Sequence, residues 1–265
     1  MKQSLASVIA NTEIADRVFV LRLEEPDQAR EVRPGQFVHI RCVGFRGTST
    51  DPLLRRPLSV LRTGANPRNT VPTGQYDVLY DVVGRGTALL ADLRAGDFAD
   101  VLGPLGRPYA IRRATRRLLL VAGGVGIVPL IALAEEALRR QVDVTLLAGF
   151  RTANKIFPAD LVPNEVEYVV ATNDGTMGHA GVVTSLLPDY LTWADQICAC
   201  GPVPMLKELA AQRRTGSLPT QIAMEEHMGC AVGVCLGCVV PTKRGNRRVC
   251  RDGPVFDLAE MGWPE

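Results

Sequence analysis

Residues 1–112 carry a pattern of short hydrophobic runs. The β-rich runs at 18–23, 36–42, 58–62 and 75–83 are separated by turns that contain glycine and proline. Many short strands at such spacing are typical of a small antiparallel barrel. We therefore predict an N-terminal β barrel over these residues.

Residues 113–219 show a different pattern. A continuous apolar run at 118–122 precedes a glycine turn, and residues 128–140 then have the periodicity of an amphipathic helix. Further strand-like runs at 142–150 and 196–202 alternate with helical stretches. Strands that alternate with helices indicate βαβ crossovers. This part of the chain is predicted to be an α/β domain with a doubly wound parallel sheet.

Residues 220–265 form a tail that is rich in glycine and cysteine and shows little periodicity. A segment of this length cannot bury a sufficient core by itself. We expect it to be a small third domain that a bound group holds together.

Composition narrows the possible classes of protein. The chain has 46% hydrophobic residues, which favours a folded protein. Its net charge of +2 is near neutral and therefore argues against a nucleic acid or an anionic membrane as partner. It has no apolar stretch of about 18 residues and no signal-peptide core, so we expect a cytoplasmic location. Seven cysteines in 265 residues do not suggest a disulfide framework.

Four cysteines of the tail have a distinctive spacing. Cys230, Cys235 and Cys238 follow the pattern C-x4-C-x2-C, and Cys250 comes after eleven further residues. A plant-type 2Fe–2S cluster takes its thiolates from such a run plus one distant cysteine. The small residues between these cysteines let the backbone curl around a cluster. A structural zinc site is the alternative, because Cys235 and Cys238 alone would form a zinc knuckle, but its usual second half is missing.

A glycine turn and a late strand end are candidates for nucleotide binding. Gly123, Gly124 and Gly126 lie between an apolar strand and a helix, where backbone can approach a pyrophosphate. A simple tight turn would give the same pattern. The segment Cys200, Gly201 and Pro202 ends a later strand, at the sheet edge where ligands bind. The pair of features is more specific than either one alone.

The barrel segment offers two further candidates. Arg56 and Ser59 combine a cation with a hydroxyl, although a regular strand would place them on opposite faces. Residues 84–87, with sequence GRGT, offer N–H groups and a hydroxyl that suit a phosphate. Each could also be an ordinary strand edge or turn.

Together these segments resemble the ferredoxin–NADP reductase superfamily and, within it, the electron-transfer subunits of class B dihydroorotate dehydrogenases. The similar segments follow in order along nearly the whole chain: residues 34–38, 55–59, 82–87, 123–130, 199–206, 225–238 and Cys250. The resemblance implies a barrel that binds FAD, a domain that binds NAD, and a C-terminal 2Fe–2S domain.

The resemblance also implies roles for individual residues. Arg56 would contact the flavin pyrophosphate and Ser59 the isoalloxazine. The residues implied in flavin binding are Arg56, Pro57, Leu58, Ser59, Leu79, Tyr80, Asp81, Gly86 and Thr87. Those implied in nicotinamide-nucleotide binding are Gly123, Gly124, Gly126, Cys200, Gly201 and Pro202, and the cluster ligands are Cys230, Cys235, Cys238 and Cys250. Two positions depart from the family pattern: Leu58 replaces an aromatic residue, and Asp81 stands where a basic residue is expected.

The resemblance further implies a partner. An FMN-containing catalytic subunit would oxidise dihydroorotate in pyrimidine biosynthesis, and its electrons would pass through the 2Fe–2S cluster and FAD to NAD, in a heterotetramer. No catalytic carboxylate or histidine is expected in this chain. Arg151 and Lys155 leave the choice between NAD and NADP open, since either could contact a 2′-phosphate.

Other members of the superfamily remain alternatives. They are the small flavin and iron–sulfur subunits of a ferredoxin:NADP oxidoreductase, a sulfide dehydrogenase, or a hydrogenase or sulfite-reductase diaphorase. A non-enzymatic binding protein with a zinc knuckle is the alternative of a different class.

Overall fold

Six antiparallel strands close into a barrel in the first part of the chain. A computed structural model of the protein describes residues 1–43, 50–65, 71–212 and 218–263. The barrel strands follow the order β1-β2-β5-β4-β3-β6 around the barrel. Their bounds are β1 (Lys2–Ala15), β2 (Val18–Glu24), β3 (Phe37–Ile40), β4 (Arg56–Thr63), β5 (Gln75–Asp81) and β6 (Phe98–Leu105). Helix α1 (Pro26–Glu31) follows β2, and α2 (Arg85–Ala91) follows β5.

The barrel interior is filled by aliphatic side chains at alternating strand positions. Val38 and Ile40 of β3 and Val78 of β5 are buried in one core with Val101 of β6. Alternate residues of a strand point to opposite faces, so the intervening residues of β3, Phe37 and His39, lie on the other face. The predicted barrel is confirmed.

A seven-stranded sheet forms the second half of the chain, in the order β10-β9-β8-β7-β11-β12-β15. The strands of this half are β7 (Arg117–Gly123), β8 (Asp143–Phe150), β9 (Glu167–Thr172), β10 (His179–Ala180), β11 (Gln196–Cys200), β12 (Thr220–Ala223), β13 (Val239–Thr242), β14 (Gly245–Arg248) and β15 (Val255–Asp257). Its helices are α3 (Ile127–Arg139), α4 (Leu187–Tyr190), α5 (Val203–Gln212) and α6 (Val249–Asp252). Neighbouring strands from β10 to β12 pair in parallel, which confirms the predicted parallel sheet.

The cysteine-rich tail is built onto this sheet. Strand β12 pairs in parallel with β11, and β15 pairs antiparallel with β12, so both ends of the tail extend the sheet. The hairpin β13–β14 lies between them in sequence. Met228, Cys238 and Cys250 are buried in the same core as Phe37 of the barrel and Leu119 of β7. The tail thus shares the core of its neighbours; the division of the chain at residues 112 and 219 stays a prediction.

Two buried contacts join the barrel to the parallel sheet. Arg62 Nε of β4 lies 2.7 Å from Glu135 Oε1 of α3. The Tyr109 hydroxyl donates a hydrogen bond to the carbonyl oxygen of Ala199 in β11, at 2.9 Å. These contacts hold the two halves side by side and leave clefts between them. Among the residues that the structure describes, no helix is long and apolar enough to cross a membrane.

Candidate functional site

A cavity of about 870 Å³ lies where the barrel, the parallel sheet and the cysteine-rich tail meet. We call it the first cavity. Among its lining residues are most of the predicted flavin-binding positions: Arg56, Pro57, Leu58, Ser59, Leu79, Tyr80, Asp81 and Thr87. Arg56 and Ser59 therefore border the same cavity, although residues three apart in a regular strand would point to opposite faces of the sheet. A cavity of this size suits a cofactor.

Gly86 does not line the first cavity but packs against one of its walls. A Cβ atom at Gly86 would lie 2.7 Å from Arg56 Nε, so the absence of a side chain lets the guanidinium lie against the first turn of α2. Arg56 Nη1 also donates to the carbonyl oxygen of Leu54 at 2.6 Å. These contacts fix a permanent cation at the cavity wall, where it could bind a pyrophosphate.

Thr87 and Tyr80 have their hydroxyl groups engaged inside the protein. Thr87 Oγ1 accepts hydrogen bonds from the N–H groups of Val83 and Gly84, at 3.1 and 3.3 Å. The Tyr80 hydroxyl donates to Asn11 Oδ1 at 3.0 Å, and its ring stacks on Phe19 with centroids 5.7 Å apart. Burial raises the pKa of Tyr80 to about 12. The Tyr80 ring is thus held in the barrel core, while the residue also borders the first cavity.

A second cavity, of about 740 Å³, lies over the carboxyl ends of the parallel strands. Gly123 and Gly124 of the glycine turn, Pro202, Arg151 and Lys155 are among its lining residues. The turn leads directly into α3, whose first N–H groups and positive dipole end favour a phosphate. The structure thus brings the two predicted nucleotide segments to one cavity.

The glycine turn after β7 and the turn after β11 are packed backbone to backbone. A Cβ atom at Gly126 would lie 2.3 Å from the carbonyl oxygen of Cys200. Gly201 has a φ of +159°, and a Cβ atom there would lie 2.9 Å from the nitrogen of Gly123. Gly126 and Gly201 therefore do not line either cavity; they let the two turns approach each other.

The two cavities share one wall. Leu79, Asp81, Val83, Val125 and Glu225 line both of them. These residues come from the end of β5, the glycine turn and the start of the tail, which no local pattern in the sequence connects. A ligand in the first cavity and a ligand in the second would meet at this shared wall.

Glu225 is a site residue that sequence reasoning missed. Cys200 Sγ donates to Glu225 Oε1 over 3.9 Å. Surrounding protein raises the pKa of the Glu225 carboxyl, an effect that the thiol contact partly opposes. Burial also holds the pKa of the Cys200 thiol well above its usual value. The only sequence signal was its place, five residues before Cys230 at the start of the tail.

The cysteine loop directs backbone N–H groups at its own sulfurs. Cys230 Sγ accepts from the N–H of Val232 at 3.4 Å and from that of Cys235 at 3.5 Å. Cys238 Sγ accepts from the N–H of Cys250 at 3.5 Å. Partial burial opposes ionisation of Cys230, but these N–H groups prevail and lower its pKa to about 6. Such donors stabilise thiolates, which are the form that binds iron.

The loop bends tightly around these sulfurs. Ala231 and Leu236 adopt φ values of 57° and 59°, which residues other than glycine rarely do. Cβ atoms at Gly229 and Gly237 would lie 3.5 and 3.6 Å from Cys235 Sγ, so these glycines bring backbone beside the sulfur. The thiol set, the N–H donors and the small residues fit a 2Fe–2S cluster. In the described ranges, no group of three His, Cys, Asp or Glu side chains is arranged to hold a single metal ion.

The first cavity reaches this loop. Its lining includes Gly229 and Gly237, together with His227 and Met228. Cys235, at the outer side of the loop, is exposed, whereas Cys238 and Cys250 are buried. Val234 and Leu236 beside Cys235 are 75% and 60% exposed, so they form a small apolar patch around this cysteine. The loop therefore has one side toward the first cavity and one side toward solvent.

Comparison with known proteins assigns the chain to a family. Residues 225–262 match the family described as the iron–sulfur cluster binding domain of dihydroorotate dehydrogenase B. The chain is 35% identical over 265 residues to the electron transfer subunit of dihydroorotate dehydrogenase B (NAD(+)) of Desulforamulus reducens, with 97% of each chain covered. The chain belongs to the family of dihydroorotate dehydrogenase B electron transfer subunits. The same subunit of Bacillus caldolyticus is 40% identical over 253 residues and covers 94% of each chain.

Several solved structures share the fold of this member of the dihydroorotate dehydrogenase B subunit family. A structure described as the NADH-dependent reduced ferredoxin-NADP oxidoreductase superimposes with a TM-score of 0.83 and 30% identity, over 98% of this chain and 90% of that one. The cytochrome b5 reductase domain of Ulva prolifera nitrate reductase superimposes with a TM-score of 0.61 at 19% identity. It covers 83% of this chain and 97% of that domain, and at this identity it supports the fold alone.

Proposed function

We propose that the protein is the electron transfer subunit of an NAD-linked dihydroorotate dehydrogenase B and that it acts with a catalytic subunit in pyrimidine biosynthesis. The observation that carries this proposal is the order of three sites. The second cavity meets the first cavity at Asp81, Val125 and Glu225, and the first cavity ends at the cysteine loop. Such a row suits electrons that travel between a nucleotide and a partner protein.

The barrel residues would hold FAD in the first cavity. Arg56 would bind the pyrophosphate and Ser59 would face the isoalloxazine. Pro57, Leu58, Leu79, Tyr80, Asp81 and Thr87 would complete the walls, and Gly86 would support Arg56 from behind. Bound FAD supplies the exchange between electron pairs at a nicotinamide and single electrons at a cluster. Leu58 and Tyr80 also belong to the barrel core, so they would border the flavin as part of a rigid wall.

The second cavity would hold NAD. Gly123, Gly124 and the start of α3 would receive its pyrophosphate, and Pro202 would border the nicotinamide. Cys200 and Glu225 then lie beside the place where nicotinamide and flavin meet. Contact between the two ligands at this wall would exclude water from the reacting atoms.

The four cysteines Cys230, Cys235, Cys238 and Cys250 would hold a 2Fe–2S cluster. Cys235 and the exposed aliphatic side chains around it would face the catalytic subunit, which would carry FMN. We further propose a heterotetramer of two subunits of each kind in the cytoplasm. The chain supplies position and charge; no acid or base of its own is required for the transfer of electrons.

The decisive experiment is purification of the complex. We expect the chain to co-purify with an FMN-binding catalytic subunit, to show flavin and iron–sulfur absorption, and to let dihydroorotate reduce NAD⁺. A colourless chain that contains zinc would contradict the proposal. The 30% identity to the reduced ferredoxin-NADP oxidoreductase makes that enzyme the second candidate. Co-purification with a large second flavoprotein and ferredoxin-linked activity would favour it.

A further inference from the structure

Lys155 lies in a contact between the two halves of the molecule. It follows β8 of the parallel sheet, and its Nζ donates to the carbonyl oxygen of Asp16 at 2.6 Å. The same Nζ lies 3.5 Å from Asp16 Oδ2 and 3.7 Å from Asp81 Oδ1. Asp16 belongs to the turn between β1 and β2, and Asp81 ends β5, so both acceptors are in the barrel.

The position of this contact matters more than its strength. Lys155 lines the second cavity, and Asp81 lines both cavities. The contact therefore crosses the cleft between the halves at the wall that the two cavities share. Next to it, Ile14, Ala15 and Val18 of the barrel line the second cavity opposite residues 156–158.

The contact also accounts for an unexpected residue. The family resemblance implies a basic residue at position 81, and the chain has Asp81 there. The structure places the ammonium group of Lys155 next to this carboxylate. The cation expected from the barrel is thus contributed by the other half of the molecule.

We propose that Lys155 and Asp81 form an interdomain pair that positions the nicotinamide against the flavin. They are positioning residues, since they act by fixing one cavity relative to the other. The inference rests on the proposed binding of NAD and FAD. An exposed ion pair contributes little to stability, whereas a displacement of about 1 Å between two reactants can slow their reaction up to a hundredfold.

A second interdomain ion pair differs in burial. Arg62 and Glu135 side chains are 12% and 7% exposed, whereas those of Lys155 and Asp81 are each 29% exposed. The buried pair therefore holds the halves together regardless of Lys155. Loss of the Lys155 contact is expected to alter the alignment of the cavities and to leave the fold intact.

The test uses the complete complex and the variants Lys155→Met, Asp81→Asn and their combination. The rate of flavin reduction by NADH is measured by stopped flow, and the nicotinamide–flavin charge-transfer absorbance by titration. We expect each single variant to slow reduction about fivefold and to weaken the absorbance. The double variant should match the slower single variant within about twofold, because Asp81 acts on the alignment only through Lys155, whereas Lys155→Met also removes the contacts with Asp16.

Two comparisons separate positioning from other roles. ADP-ribose, which lacks the nicotinamide, should bind all variants within about twofold of the wild type. Lys155→Arg keeps the charge and should recover most of the rate. The matched control is Asp27→Asn, which removes an exposed carboxylate that pairs with Lys2 and does not line either cavity.

Additive effects of the two substitutions, or unchanged rates, would overturn the proposal. So would weaker binding of ADP-ribose in proportion to the slower reduction, since Lys155 would then be a nucleotide ligand. Wild-type complex whose flavin NADH does not reduce would instead refute the proposed function itself.

Discussion

Glu225 Oε1 lies 3.9 Å from Cys200 Sγ at the wall that separates the two cavities. Both residues end up beside the proposed meeting point of nicotinamide and flavin, although 24 residues separate them in the chain. A carboxylate at this place favours the cationic, oxidised nicotinamide over the neutral, reduced one.

We therefore expect Glu225→Gln to lower kcat/KM for NAD⁺ by about tenfold, which corresponds to about 1.4 kcal/mol, because the cationic nicotinamide loses a favourable charge contact and the KM for NAD⁺ rises. Steady-state rates with dihydroorotate and NAD⁺ would measure this. Glu31→Gln, which removes an exposed carboxylate at the end of α1, is the control and should retain the wild-type rate. Equal rates for Glu225→Gln and the control would show that the carboxylate has no part in the reaction.

His39 gives the protein a dependence of stability on pH. It is 1% exposed, and neither ring nitrogen has a hydrogen-bond partner among the residues that the structure describes. Burial, with a smaller contribution from the charge of Arg55, lowers its pKa to about 4. The unfolded chain therefore binds a proton between about pH 6.5 and pH 4 that the folded protein does not, so stability falls as pH falls through this range.

We expect His39→Leu to remove this contribution, which amounts to about 2 kcal/mol between pH 6.5 and pH 5. The variant should have a flatter curve of melting temperature against pH than the wild type over that interval. The control is His179→Gln, because His179 is exposed. Parallel curves for His39→Leu and the wild type would contradict the expectation.

Cys235 tests the cluster ligands. It is the exposed member of the four cysteines, so its substitution disturbs no buried packing. Cys235→Ser should lower the content of iron and inorganic sulfide to well below that of the wild type, because a serine oxygen binds iron more weakly than a thiolate does. Iron and sulfide analysis measures this result. Cys198→Ala, in the core of β11, should keep the full content; a full content in Cys235→Ser would refute the ligand assignment.

Gly126 and Gly124 test why the turn after β7 needs glycine. A Cβ atom at Gly126 would lie 2.3 Å from the carbonyl oxygen of Cys200. A Cβ atom at Gly124 would have no surrounding atom of the described residues within 4 Å. Gly126→Ala should lower the free energy of unfolding by about 2 kcal/mol, because neither turn can move away easily. Gly124→Ala, with a φ of +55°, should cost about 1 kcal/mol from backbone strain alone.

Thermal unfolding of both variants would show the order. Equal loss of stability in the two variants would mean that the turns after β7 and β11 can separate, and that their close packing is not required.

Much of the fold could be predicted from local patterns. The barrel and the parallel sheet were both predicted and confirmed. They could be predicted because period-two runs and strand–helix alternation are properties of short segments. The pairing of β12 and β15 with the sheet could not be predicted. Those two strands lie on either side of the cysteine loop in sequence, and their pairing depends on how the loop folds between them.

The candidate site divides in the same way. The flavin segment, the glycine turn and the cysteine spacing could be recognised because each places its chemistry within a few neighbouring residues. The roles of these residues stay predictions. For Tyr80, the sequence indicated a position at the flavin-contacting strand, and the structure adds that the residue borders the first cavity and that its ring stacks on Phe19.

By itself, the sequence determined which chemical groups are present and on which kind of element each one lies. Thiols with cluster spacing, glycines at a strand-to-helix turn and an arginine at a strand start are local features, and local backbone preferences suffice to place them. Only the tertiary structure decided that Glu225 meets Cys200, that Lys155 meets Asp81, and that two cavities join at one wall. Contacts between distant residues depend on how whole elements pack to bury their apolar faces, and a local pattern does not contain that information.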